Sequence, residues 1–235
     1  MNLEKRICLI SGGNRGMGFE TCHQLAQLGH TVILTARNST KGKTAVKQLR
    51  EKKDLDIIFY QMDVSNQDSI DDVHDKIIQH FGRLDVLVNN AGILYDTWQT
   101  VIDIDFEIVN QSLATNLLGP WRVSKKFIPL MKKNRYGRVV NVSSSLGSLH
   151  SMGKGSPAYS ISKTALNALT RKLAAELLGT GILVNSIDPG WVETDMGGRG
   201  GRPVKEGVKG ILWACTLPDD GPTGGFFFDG KPVEW

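Results

Sequence analysis

The chain has 235 residues, of which 40% are hydrophobic and 22% charged, and a formal net charge of +4. That balance fits a globular protein, and because Lys and Arg are scattered it excludes a basic tract of the kind that binds nucleic acid. No apolar run approaches the ~18 residues that suggest a membrane span, and Cys8, Cys22 and Cys215 have no metal-ligand spacing.

Charged Glu4, Lys5 and Arg6 run directly into an apolar segment, so no secretory core is expected, and the thiols are expected to be reduced in a cytoplasmic protein. Arg6–Ile10 predicts a strand, Ser11–Gly18 a glycine-rich turn, and the residues through Leu28 a helix. In that setting Gly12, Gly16 and Gly18 let the backbone turn sharply and approach a pyrophosphate at a helix N-terminus. Asn14, Arg15 and Met17 belong to the same turn and are counted with it as cofactor contacts. A tight turn without a ligand satisfies the same spacing. Thr31–Ala36 predicts the second strand, and Arg37 follows where an acidic residue usually meets an unphosphorylated ribose. Arg37 and Arg15 suit a 2′-phosphate, so NADP(H) is expected over NAD(H).

Lys41–Lys53 reads as an amphipathic helix and Asp56–Gln61 as the third strand, ending at Asp63 and Val64. Asp63 is placed either to accept from an adenine amino group or to serve as N-terminal charge for a helix over Asn66–Phe81. The fourth strand, Leu84–Val88, runs into Asn89, Asn90, Ala91 and Gly92, whose side chains leave room for a flat ring and a ribose or simply make a turn. A helix over Phe106–Met131 contains Asn116 and Pro120. Proline has no N–H, so the Asn116 carbonyl loses its helical partner; a kink is expected there, with the carbonyl free to hold a water.

Arg138–Val142 predicts the fifth strand, with Ser143, Ser144 and Ser145 at its carboxyl end. Ser156 is the expected N-cap of the next helix and Pro157 its first residue, which puts Tyr159 and Lys163 on one face as an i, i+4 pair. A free tyrosine titrates near ~10, and lowering it to about 7 takes roughly 4 kcal/mol, which a desolvated lysine and an oxidised nicotinamide together can supply. Leu183–Ile187 predicts the sixth strand, followed by a Pro189-Gly190 turn, Val192, and Thr194 placed to hydrogen-bond a nicotinamide amide. Gly197–Arg202, reading GGRGGR, suits a short mobile lid. Val204–Leu217 predicts the last helix and Gly225–Asp229 a seventh strand. Strands alternating with helices predict an α/β fold: a single domain built on a doubly wound parallel sheet of seven strands.

The glycine turn, Asn89-Asn90-Ala91-Gly92, Asn116, Ser144, Tyr159-x-x-x-Lys163 and Pro189-Gly190 fall in an order that resembles the short-chain dehydrogenase/reductase family. The resemblance covers nearly the whole chain and implies a Rossmann fold. It also implies that Ser144 orients a substrate carbonyl, Tyr159 donates a proton, Lys163 binds the nicotinamide ribose and lowers the tyrosine pKa, and Asn116 holds a relay water. Ser143 and Ser145 are then structural. Val-Asn-Val-Ser-Ser, Pro-Gly-Trp-Val-x-Thr-Asp-Met and the final Val-Glu-Trp are similar to the NADPH-dependent carbonyl reductase branch. Hydride transfer between NADP(H) and a ketone or aldehyde is the implied activity, with a small-molecule partner, no metal, no nucleic acid and no membrane. The alternative is a non-catalytic NADP(H)-binding sensor or scaffold; a sugar-nucleotide epimerase is a weaker rival, because only about forty residues follow Thr194. That branch often carries a long insertion between serine and tyrosine, whereas only fourteen residues separate Ser144 from Tyr159. Without it, the helix surface used for pairing is uncovered, and a homodimer or homotetramer is expected.

Overall fold

The structure, a computed structural model, describes residues 4–51 and 55–235. Seven short, mostly apolar segments form parallel strands: β1 (Ile7–Ile10), β2 (Thr31–Ala36), β3 (Ile57–Gln61), β4 (Val86–Asn89), β5 (Gly137–Val142), β6 (Ile182–Asp188) and β7 (Phe226–Phe228). A two-residue strand, β8 (Lys231–Pro232), adds to β7 in antiparallel sense and brings the sheet to eight. Strand order is β3-β2-β1-β4-β5-β6-β7-β8, so the chain reverses its direction of winding between β1 and β4. This is the Rossmann arrangement expected from the sequence.

Alternate side chains of each strand enter opposite layers, as the strand period of two requires. Cys8, Ile10, Val32, Leu34, Val86 and Val88 pack with α1 (Gly16–Gln27), α2 (Ser39–Arg50) and α8 (Lys209–Cys215). Leu9, Ile33, Leu87, Val139 and Val184 face the other way, against α3 (Gln67–Phe81), α5 (Gly119–Asn134) and α6 (Pro157–Glu176). All three cysteines are free and lie in the first layer, where burial pushes their thiols up.

Several element boundaries differ from those expected. The second helix starts two residues early, because Asn38 accepts from the Lys41 amide as N-cap; residues 52 and 53 of the expected helix lie outside the described residues. The predicted break at Pro120 is a π-helical turn, Ala114–Leu118, between α4 (Phe106–Leu113) and α5. There the Gly119 amide donates five residues back to the Ala114 carbonyl, which absorbs the mismatch before the proline. The last predicted helix is two pieces, α7 (Val204–Gly207) and α8.

Candidate active site

The carboxyl ends of β1 and β4 meet at the winding reversal, the place where doubly wound sheets bind ligands. Ser11 and Asn90 lock the two turns together there. The Ser11 hydroxyl accepts from the Asn90 and Ala91 amides, both at 3.0 Å, while the Asn90 side chain donates to the Ser11 and Gly12 carbonyls at 2.9 and 3.2 Å. Gly12 has φ +67°, and a Cβ on Gly18 would stand 2.3 Å from the Gly12 carbonyl oxygen, so neither position admits a side chain. The N-cap of α1 is Arg15, whose side chain makes no capping bond, so the positive end of the helix is not quenched locally. A bare, tightly turned cradle against an uncapped helix N-terminus fits a pyrophosphate.

Arg37 stands exposed just beyond β2, and Arg15 pairs with Asp195 at 2.6 Å. Both members of that pair are well exposed, so it is worth at most about 1 kcal/mol and does not withhold Arg15 from an anion. Asp63 accepts from the Ser65 amide and hydroxyl at 2.9 and 2.6 Å, closing its own turn, while α3 is capped by Asn66. Val64 is buried and packs against Gly119.

Across the cleft, Lys163 is buried and donates from Nζ to the Val142 carbonyl at 2.7 Å; the ammonium lies 5.6 Å from the centre of the Tyr159 ring. A Cβ on Gly92 would lie 3.4 Å from Asn116 Oδ1 and 3.6 Å from Lys163 Nζ, so the amide, the ammonium and the turn after β4 converge. The Asn116 side chain is fully committed. It accepts from the Ile93 amide at 2.9 Å and donates to the Ile93 carbonyl and the Ser162 hydroxyl, both at 3.0 Å. Ser162 in turn donates to the Tyr159 carbonyl at 2.7 Å.

Burial dominates the titration of both candidate proton carriers. It pushes Tyr159 up to about 12, a rise that the Ser144 hydroxyl opposes and the Asp188 and Asp96 carboxylates reinforce. It pulls Lys163 down to about 8. The expected lowering also called on the charge of an oxidised nicotinamide; in the protein alone burial moves the phenol the other way. Desolvating a phenolate on this helix face costs more than its neighbours return, and the lysine is not among the groups that move it. Ser156 occupies the N-cap position and Pro157 the first turn, as expected, but Ser156 has φ 45° in the left-handed region and its side chain caps nothing. Asp96 supplies the capping acceptor instead, its Oδ2 accepting from the Ala158 amide at 2.6 Å and the Tyr159 amide at 3.3 Å.

The loop after β6 closes over the glycine turn. Asp188 accepts from the Gly190 amide at 2.9 Å and from the Ser145 amide, and burial raises its pKa. Pro189 and Val192 are buried, and the Thr194 methyl would meet a Cβ on Gly16 at 3.5 Å. Thr194 Oγ1 accepts from the Gly197 amide at 3.0 Å. The expected lid is tied at its base by backbone bridges, Val192 with Arg202 and Thr194 with Gly198, and by an Arg202–Asp229 pair at 2.8 Å.

A family model described as short chain dehydrogenase matches residues 6–202. The chain belongs to the short-chain dehydrogenase family. This short-chain dehydrogenase is 32% identical to a (+)-neomenthol dehydrogenase of Arabidopsis thaliana, with 97% of each chain covered. It is also 32% identical to carbonyl reductase [NADPH] 1 of Bos taurus, with both chains covered in full. That alignment runs over 283 positions against 235 residues here, so the bovine relative carries segments that this chain lacks. Among solved structures, an NADPH-bound carbonyl reductase from chicken fatty liver superposes with a TM-score of 0.89 at 27% identity, covering 99% of this chain and 100% of that one. The family and fold make this chain an oxidoreductase by descent.

The short-chain dehydrogenase also carries a buried polar network that its motifs do not mark. Asn89 donates to Asn141 at 2.8 Å and to Ser124 at 3.1 Å, Asn141 donates to Thr170 at 2.8 Å, and Thr170 shares a 2.7 Å bond with Ser186. This buried chain joins β4, β5 and β6 to α5 and to α6, the helix that carries Tyr159. Its one sequence signal is an asparagine near the carboxyl end of each of two apolar strands.

Proposed function

We propose that the chain is an NADP(H)-dependent carbonyl reductase in which Tyr159 is the proton donor. The observation that carries this reading is the meeting, at the carboxyl end of β5, of a buried phenol, the Ser144 hydroxyl that interacts with it, and the buried Lys163 ammonium. When bound, a reduced nicotinamide supplies hydride to the carbonyl carbon. Ser144 holds the carbonyl oxygen, where negative charge develops, and Tyr159 delivers its proton to that oxygen. A phenol that keeps its proton at neutral pH suits an acid in the reductive direction. Lys163 binds the ribose hydroxyls and places its charge beside the phenolate left behind. The Asn116 carbonyl, which receives no N–H from Pro120, holds a water through which the proton is replaced.

The remaining cofactor contacts follow the cleft. Gly12, Asn14, Arg15, Gly16, Met17 and Gly18 hold the pyrophosphate, and Arg37 with Arg15 the 2′-phosphate. Asp63 and Val64 border the adenine, Asn90, Ala91 and Gly92 the nicotinamide ribose, and Pro189, Gly190, Val192 and Thr194 the nicotinamide. Relatives named as carbonyl reductase [NADPH] support NADP(H), and exposed Phe106, Trp121 and Ile161 on α4, α5 and α6 support pairing into a dimer or tetramer. The test follows NADPH and NADH oxidation across ketones, aldehydes and quinones. NADPH should be preferred, and Arg37→Asp should turn the preference toward NADH; an unaltered ratio refutes the 2′-phosphate assignment.

A further inference from the structure

We infer that Asp96 is a positioning residue for the reaction: a buried carboxylate that anchors the backbone of Tyr159 and adds its negative charge to the surroundings of the phenol. This inference rests on the reading of Tyr159 as the proton donor.

The backbone of Tyr159 is gripped on both sides by groups from one neighbourhood. Its amide donates to Asp96 at 3.3 Å, alongside the stronger 2.6 Å bond from Ala158. Its carbonyl accepts from Ser162, which is held by Asn116, which is locked to Ile93 on the same loop as Asp96. The loop after β4 therefore reaches α6 through two routes, one at each peptide of Tyr159. That loop passes Gly92, where a Cβ would lie 3.6 Å from the Lys163 ammonium. Asp96 thus couples the turn facing the cofactor cleft to the first turn of the catalytic helix, across 63 positions of sequence.

Helix capping alone does not account for a carboxylate here. Asp96 is fully buried, and its Oδ1 has no hydrogen-bond partner among the described residues. A serine or asparagine would satisfy the same amides without burying a charge, which is costly. The helix N-terminus offsets part of that cost. The consequence of keeping the charge falls on the phenol. Four groups face Tyr159: Ser144 after β5, Lys163 on its own helix, Asp188 at the end of β6, and Asp96. Both carboxylates disfavour the phenolate, so the proton stays on the donor until the substrate oxygen takes it.

Asp96→Asn keeps an acceptor and removes the charge, whereas Asp96→Ala removes both. In the oxidative direction the alcohol gives its hydride to NADP+ and its O–H proton to the Tyr159 phenolate, so activity rises with pH as the phenol ionises. With NADP+ saturating, so that the positive charge of the nicotinamide brings the phenol into the measured range, Asp96→Asn should move that rise to lower pH than in wild type. Asp96→Ala should lower kcat for ketone reduction about 10- to 100-fold, with NADPH affinity held within about two-fold. An Asn variant whose pH profile superimposes on wild type overturns the inference, as does an Ala variant with wild-type kcat. If Asp96→Ala fails to fold, the Asn profile decides alone. Tyr159→Phe run alongside separates the two layers: full turnover there sinks the donor assignment itself, whereas an inactive Phe variant beside unaltered Asp96 variants sinks only this inference.

Discussion

Lys163→Met should make the protein more stable and inactive. Lys163 is only 4% exposed, and among the described residues its ammonium has one hydrogen bond, the 2.7 Å contact with the Val142 carbonyl. Burial pulls its pKa from 10.5 to about 8, which corresponds to roughly 3 kcal/mol of penalty on the charged form in the fold. Methionine is close in length, removes the charge, and forfeits a bond worth about 1 kcal/mol. A net gain of about 2 kcal/mol remains, or a rise of about 4–8 °C in Tm for a chain of this size. The pH dependence has a definite sign. Between about pH 8 and 10.5 the unfolded chain binds a proton at this position that the folded chain does not, so wild-type stability rises with pH across that window. The gap between variant and wild type should be full below about pH 8 and should close toward pH 10.5. Calorimetry of both proteins at pH 7 and pH 10, with ketone reduction followed in parallel, measures this. A variant that melts at or below wild type at pH 7, or a gap indifferent to pH, refutes the claim that a buried, uncompensated ammonium is held here for chemistry.

The same titration governs turnover: kcat/KM for NADPH should fall above about pH 8 as Lys163 loses its charge, while Tyr159, pushed up to about 12, stays protonated. A flat profile to pH 9.5 contradicts that role for Lys163. Gly18→Ala would place a Cβ 2.3 Å from the Gly12 oxygen and 2.5 Å from Asn90 Nδ2, displacing backbone that cannot yield cheaply. Overpacking of about 1–3 kcal/mol should weaken NADPH binding about ten-fold or more in a fluorescence titration, and unaltered affinity contradicts the cradle.

The parts of this molecule legible in the sequence are those encoded by short-range pattern. Thr31–Ala36 is a strand with the bounds expected, because six apolar or β-branched residues between turn signals leave no alternative. Pro120 marked a break in a helix but not its π-helical form. What stayed hidden depends on distant partners. Ser156 has the chemistry and the position of an N-cap, yet its backbone is left-handed and the amides go to Asp96 instead. The Tyr159–Lys163 spacing predicted a shared face but not the depth of its burial, which in the protein alone raises the phenol's pKa. Asn89 and Asn141 meet only because β4 and β5 pair in that register.

The most direct test is Tyr159→Phe, which deletes one hydroxyl and leaves the ring. NADPH should bind with wild-type affinity in an equilibrium titration while ketone reduction falls about 10²- to 10⁴-fold, the range a positioned proton donor contributes. Reduction within a few-fold of wild type, or loss of NADPH binding in step with activity, would contradict the account.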